Sequence, residues 1–396
     1  MPRTSADTER ELREKFRHFG AAYVAPNARA CYEDGRLDDV AWKELARLGM
    51  WRIPVPASMG GDGLTWREFA VALEGLASST RDLGFLLSLV AHAGVVRAVV
   101  NLGTDEQRER FLPVLLSGGV ASTALTEATG GSDVARIRCH ARRDGERYVM
   151  SGEKQHITNA PVADVALVLA RIPELAPHDI TIFLVESSLR GVARGEPEHM
   201  FGNRTSPTGP LVFEEVELGP EHVLGEPGGG LQSIYNIICL DRVLYGVIAA
   251  GFIEPMLNDA LRYAHERHAF KTAIANHEYV QGRLTELRVT MDTVRAISFT
   301  GIEQLLDDDP RASATCSIAK LVGCEGLCQA TQHAMNIFGH VGYMHGPIAI
   351  AVGDALGTRI AGGTAEMQRK NIFNQMVREW RQTKPEESAW TASVQA

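Results

Sequence analysis

Five segments of this 396-residue chain carry residue types whose spacing could do chemistry. The first is ALTEATGGSDVA, residues 124–135. Thr126, Gly130, Gly131 and Ser132 combine hydroxyls with side chains too small to screen the backbone, so their N–H groups can approach a ligand closely. Some twenty residues on, GEKQHITN (152–159) reads as a strand ending at Thr158 and Asn159. GNRTSPTGPLVFE (202–214) reads as a loop and a strand, and LGEPGGG follows it at the start of a long helix. AHERHAFKTAIANHEYVQGRL (264–284) holds Arg267, Phe270 and Gln281 on a helix–loop–helix connection. An arginine there can bind a phosphate, and a phenylalanine can stack on a purine. The fifth, FGHVGY (338–343) with DALGTRIAGGTAEMQRKNI (354–372), is glycine-rich. Taken alone, each reads at least as well as something ordinary: a capped turn, an edge strand, an ion pair or a helix connection.

The elements that must position these residues fall into three textures. Residues 1 to about 118 read as helices. Ser5 or Asp7 caps one that runs to Phe19, with Gly20 as its stop; Val40, Leu45 and Leu48 share the apolar face of another, ended by Gly49. Thr104 and Gln107 form a capping box before a helix that carries Phe111 and is expected to stop near Pro113. Over residues 120–225 the period changes. RYVMSGEK, VADVALVLARI, DITIFLVES and GPLVFEEVEL are β-rich runs separated by turn residues, the pattern of a small antiparallel sheet or barrel. Helical texture returns over about 230–268, 276–306, 311–338 and 364–380, before a polar tail from Lys384. Helices, then strands, then helices give an α+β architecture with segments 1–119, 120–228 and 229–396.

Composition excludes several functions. Lys and Arg total 40 against 49 Asp and Glu, a net charge of −9, which argues against nucleic acid as a partner. The six cysteines (31, 139, 239, 316, 324 and 328) form no C-x-x-C pair and read as buried residues of a reduced, cytoplasmic protein. The N-terminus lacks an apolar signal region, and no membrane span is expected. No metal motif appears, and neither a dinucleotide fingerprint nor a phosphate loop nor a nucleophile elbow is present.

The order and spacing of the five segments resemble the acyl-CoA dehydrogenase family over about residues 10–380. That family carries strings close to LTEPxAGSD, GxKxWITN, GxRxSPTxxLxFExVxVPxxxLLGxxGxG, YxxxRxxFGxxI and RDAKIxxIYEGTxEIQR. The resemblance implies an N-terminal helical domain, a central β domain and a C-terminal four-helix bundle. It also implies one FAD per subunit and a homotetramer or homodimer that completes each flavin site. By position, Leu125, Thr126, Gly131 and Ser132 would line the flavin and its pyrophosphate, and Thr158 would lie near flavin N5. Arg267, Phe270 and Gln281 would reach the adenine end of a neighbour's FAD. Thr364 and Glu366 would meet ribose and pyrophosphate. The implied reaction is α,β-desaturation of an acyl-CoA or acyl-carrier-protein thioester: a carboxylate takes the α proton and the β hydride passes to the flavin. Electron-transferring flavoprotein or oxygen would be the final acceptor.

The departures from those strings are specific. Gly362 stands where most members carry the catalytic Glu of YEGT. Isovaleryl-type and long-chain-type enzymes also lack that Glu and place one on the long helix before an Arg. Aligned from LGEPGGG, that position is Asp241, followed by Arg242, so Asp241 becomes the candidate base and Arg242 and Gly362 candidate substrate contacts. The competing reading is that Asp241 only pairs with Arg242 or caps backbone. His156 replaces the usual Trp beside the flavin, Gly353 and Leu356 replace Arg and Lys of RDAK, Lys271 replaces the Gly of RxxFG, and His340 replaces a Gly of FGGxG. The substrate side is remodelled, which fits a specialised acyl thioester. Two other readings stand beside it: a flavin monooxygenase or oxidase on the same fold, and a non-catalytic flavin-binding subunit.

Overall fold

The computed structural model describes residues 5–383; the polar tail expected from Lys384 lies outside them. Six helices come first: α1 (Ser5–Phe19), α2 (Ala28–Asp34), α3 (Asp39–Leu48), α4 (Trp66–Thr80), α5 (Leu83–Leu102) and α6 (Asp105–Leu116). Eight strands follow: β1 (Ala121–Ala124), β2 (His140–Asp144), β3 (Arg147–Thr158), β4 (Val165–Arg171), β5 (Ile180–Glu186), β6 (Val192–Arg194), β7 (Thr208–Leu218) and β8 (Val223–Leu224). Then come α7 (Gly230–Glu266), a small hairpin of β9 (His268–Ala269) and β10 (Thr272–Ala273), and α8 (Glu278–Leu306), α9 (Ala312–Phe338), α10 (His340–Tyr343), α11 (Pro347–Thr358) and α12 (Ala365–Thr383).

The central strands form one sheet in the order β6-β7-β3-β2-β4-β5-β8, with β1 added against β4. It is not purely antiparallel as the turn pattern implied. β1 runs parallel to β4 over Ala121–Ala124, and β2 meets β4 in parallel at His140 and Arg171. Three local expectations are also corrected. Gly20 does not stop the first helix: the chain continues through a π-turn to Val24. Pro113 sits inside α6, which runs on to Leu116 and is capped by Ser117, before Gly118 at φ +108°. Val40 is 62% exposed, and Ala41, Trp42, Leu45 and Ala46 bury instead. The Thr104–Gln107 capping box is formed as expected.

Two helices, α5 and α7, are long and apolar enough to cross a membrane by length and composition alone, although no membrane span is expected from the sequence. Their apolar windows are 83% and 89% buried inside the protein, so both are core helices. They pack in one cluster with α4, α8 and α9, the apolar mass that carries Gly94 and Asp241.

Candidate active site

The loop after β1 is clamped to β3 by a buried ion pair. Lys154 is fully buried, and its Nζ donates to Glu127 at 2.8 Å and to the Leu125 carbonyl at 3.2 Å. Glu127 also accepts the backbone N–H groups of Arg138 (2.6 Å) and Cys139 (3.0 Å). Burial works to raise the Glu127 carboxyl, but these bonds outweigh it and hold the group below the usual carboxylate range. The Gln155 N–H donates to the Thr126 carbonyl at 2.9 Å, so LTE and GEKQHITN lie side by side. Among the described residues the Gly131 and Ser132 N–H groups have no acceptor in the chain, and a Cβ at Gly130 would meet nothing within 4 Å. Open backbone donors on a fixed loop fit the polar edge and pyrophosphate of FAD.

At the end of β3 the register shifts between Lys154 and Ile157, and His156 adopts φ +57°. The kink turns its ring outward to Glu198, 2.9 Å away, rather than inward where the family's Trp would pack. Thr158, half-buried, pairs with Thr208. Asn159 is fully buried and donates to the carbonyls of Ser88 (3.0 Å) and Ala121 (2.9 Å). His92 lies one turn beyond Ser88 on α5. Burial pulls its pKa down to about 3, so it is neutral and Nδ1 accepts the Ala121 N–H at 3.2 Å. Ser88 and His92 therefore fix α5 to the strands that carry the flavin motifs.

Gly94, on the same helix, faces Asp241. A Cβ at position 94 would lie 2.6 Å from Asp241 Oδ1, so only glycine leaves the carboxylate room. That Oδ1 is buried and has no hydrogen-bond partner. Burial pushes the carboxyl up to about 7, against the pull of Arg97 and Arg242. Asp241 does not form an ion pair with Arg242, whose Nη1 reaches the Cys239 sulfur at 3.9 Å. An unpartnered carboxyl poised near neutrality suits proton abstraction better than it suits a structural cap. Gly94→Ala should displace it: we expect substrate-driven flavin reduction to slow at least tenfold while FAD content is unchanged, measured by stopped-flow absorbance.

Gly362 has φ +66°, and a Cβ there would lie 2.7 Å from the Tyr245 ring. Tyr245, one turn from Asp241 on α7, is buried, and burial raises its phenol further above the ordinary range. It fills the space a carboxylate at 362 would need. Gly362→Glu is therefore expected to lower Tm, with a left-handed backbone cost of about 1–2 kcal/mol plus the clash. It should not restore activity to an Asp241 variant.

The remaining predicted residues divide. Thr364 caps α12, accepting the Met367 N–H at 3.3 Å, and exposed Glu366 stands in its first turn. Arg267 follows α7 directly, about 39 Å along the axis from Asp241 at ~1.5 Å per residue. Phe270, on the hairpin tip, is 91% exposed at φ +53°, and Gln281 donates to the Ala275 carbonyl at 3.0 Å. The fold does not bring these three to Asp241 within one chain. The 202–214 segment is largely structural near its start: Asn203 donates its N–H to Asp354 at 2.6 Å, Thr205 bonds to Asp82, and the Ser206 and Ser88 hydroxyls meet at 2.9 Å. Glu127, Lys154, Gly94, Arg97 and Tyr245 were not singled out by sequence. Glu127 and Lys154 lay inside quoted motifs, and Tyr245 lay one helical turn from Asp241.

The chain matches the acyl-CoA dehydrogenase N-terminal domain over residues 6–119, the middle domain over 122–216 and the C-terminal domain over 228–377. It is 30% identical to the long-chain specific acyl-CoA dehydrogenase of Rattus norvegicus, covering 92% of this chain and 86% of that protein. The chain belongs to the acyl-CoA dehydrogenase family. It is 28% identical to the isovaleryl-CoA dehydrogenase of Pongo abelii, over 92% of this chain and 87% of that one. Among solved structures it superposes on the prolyl acyl carrier protein oxidase AnaB with a TM-score of 0.88 at 27% identity, covering 94% and 99% of the two chains. As a member of this family it is an FAD-dependent dehydrogenase acting on an acyl thioester. Leu125, Thr126, Gly131, Ser132 and Thr158 are the candidates for holding the flavin.

Proposed function

We propose that this acyl-CoA dehydrogenase introduces an α,β double bond into its acyl thioester with Asp241 as the general base. The observation that carries this is the Asp241 carboxyl itself: half-buried, with Oδ1 buried and without a hydrogen-bond partner, raised to about 7 and given room by Gly94. Bound FAD supplies the hydride acceptor at N5. Asp241 takes the α proton onto its carboxylate, and the apolar walls of α5 and α7 keep water from competing for it. Asp is shorter than Glu by one C–C bond, about 1.5 Å, and glycine at 94 lets the helix that carries the base approach more closely. Thr158, at the end of β3, would lie near the flavin N5.

The similarity to a carrier-protein oxidase supports a thioester delivered by a carrier protein or CoA. The exposed Phe270 and Tyr279 (86% exposed), beside Arg267 and Gln281, support a homotetramer or homodimer in which these residues reach the adenine end of the partner's FAD. Six buried free cysteines support a reducing, cytoplasmic setting. Electron-transferring flavoprotein or oxygen takes the electrons, and oxygen uptake during turnover separates the two. The reading is tested by anaerobic bleaching of the flavin absorbance with a panel of acyl thioesters on CoA and on holo-carrier protein. At least one acyl chain should bleach it, and bleaching by none contradicts the reading.

A further inference from the structure

The hairpin of β2 and β3 is rich in cations. Residues 136–147 hold five arginines and a histidine against Asp144 and Glu146. Arg138, His140 and Arg142 are exposed and alternate with buried Cys139 and Ala141, so the three share the solvent side of the sheet. Arg136 and Arg143 are exposed beside them. Among the described residues Arg136, Arg138, Arg142 and Arg143 are in no ion pair; Arg147 pairs with Glu217 at 3.6 Å. Of the acids around the strip, Glu174 accepts the Arg143 N–H at 3.3 Å, Asp179 is held by Arg171 at 2.6 Å, and Glu153 accepts from Gln155 at 3.1 Å. The backbone beneath is tied down at both faces of Ile137. Arg138 and Cys139 donate their N–H groups to Glu127 in the loop after β1, and Arg171 Nε donates to the Ile137 carbonyl at 2.7 Å. Arg171 ends β4 and pairs with Ile180 at the start of β5. That same end of the sheet meets the start of α7: the Gly228 N–H donates to the Thr181 hydroxyl at 2.9 Å, and a Cβ at Gly230 would lie 2.8 Å from the Ile180 carbonyl oxygen. From Gly230, Asp241 lies about 16 Å along the helix at ~1.5 Å per residue.

We propose that the strip Arg136, Arg138 and Arg142 is the docking surface for an acidic carrier protein, which delivers the acyl thioester on its phosphopantetheine arm past the start of α7. This rests on the thioester reading above and chooses its carrier. Guanidinium groups without a counter-charge attract carboxylates, and charge complementarity steers and orients two proteins as they meet. Arg138 and Arg142 stand about 13 Å apart at ~3.3 Å per residue. Cations spread that far over an outward sheet face match a row of acidic side chains on another protein; the phosphates of CoA call for a concave seat. The chain carries a net charge of −9. An acidic partner therefore meets repulsion from the chain as a whole and attraction at this strip.

The test measures turnover by the holoenzyme of one acyl chain, chosen because it bleaches the flavin, carried in three ways: on an acidic holo-acyl carrier protein, on CoA and on free pantetheine. The double variant Arg136→Glu/Arg142→Glu should lower kcat/KM for the carrier-protein thioester about 10- to 100-fold with kcat unchanged. Its turnover of the pantetheine thioester should equal that of the wild type. Arg136→Lys/Arg142→Lys keeps the charges and should keep most of the wild-type value on the carrier protein. Added salt should lower the wild-type value on the carrier protein and leave the charge-reversed variant nearly unaffected. A carrier-protein value untouched by charge reversal, an equal loss on all three carriers, or a loss confined to CoA overturns the proposal and leaves the thioester reading standing. So does a wild type that turns over the CoA thioester and not the carrier-protein one. Bleaching by no acyl thioester on any carrier overturns both.

Discussion

Asp241→Asn should slow substrate-driven flavin bleaching by about 10²- to 10⁴-fold, the usual contribution of a general base. The variant keeps shape and volume and removes only the ability to take a proton. It should also keep its FAD and hold or raise its Tm, because Oδ1 is buried without a partner, which is costly when the group is charged, and an amide carries no charge. Lost activity with retained fold separates catalysis from structure. Anaerobic stopped-flow reduction and a thermal melt of the same sample measure both.

The second large effect is structural. Lys154→Met leaves the Glu127 carboxylate buried with two backbone donors and no counter-charge. Breaking a buried pair from one side typically costs about 3–5 kcal/mol. Glu127 holds the loop that carries Thr126, Gly131 and Ser132, so FAD occupancy should fall together with stability. Adding Glu127→Gln should recover much of the loss, since the stranded charge is then gone as well. Chemical denaturation and flavin content per protomer read the two effects; equal losses in the single and double variants would contradict this role for the pair.

Much of the fold was legible because local signals agreed. The Thr104–Gln107 box, the change of period after residue 120 and the long helices from Gly230 onward all rest on neighbours within a turn or a strand. Misreadings came where tertiary context decides. Val40 has the chemistry for a core but lies on the face that α3 turns to solvent, while Trp42 takes the inside. Pro113 has no N–H to give, yet the helix passes through it. β1 reads ASTA, small and polar, and nothing local announces that it joins β4 in parallel.

The site divides in the same way. Motif strings identified the flavin loop and pointed to Asp241 once Gly362 was seen at the common base position. They could not show that Gly94 makes room for Asp241, because the two residues lie on different helices and no period links them. Nor could they show that Tyr245 fills the space above Gly362, or that Arg97 on α5 reaches the Asn236 carbonyl on α7. Those contacts join residues far apart in the chain, and α5 is in turn held to the strands through Ser88 and His92.

The pH dependence of flavin reduction tests the role of Asp241 most directly. The base must be ionised to accept the α proton, and burial raises its carboxyl to about 7. The anaerobic rate constant at saturating substrate should therefore rise about tenfold per pH unit below that value and level off above it. Asp354, raised to about 7, and Asp82, raised to about 6, titrate in the same window. Both remain in Asp241→Asn, so that variant should show a low rate without this rise. A wild-type rate constant that stays flat from pH 5.5 to 8.5, or an Asp241→Asn variant that keeps the rise, would contradict Asp241 as the base.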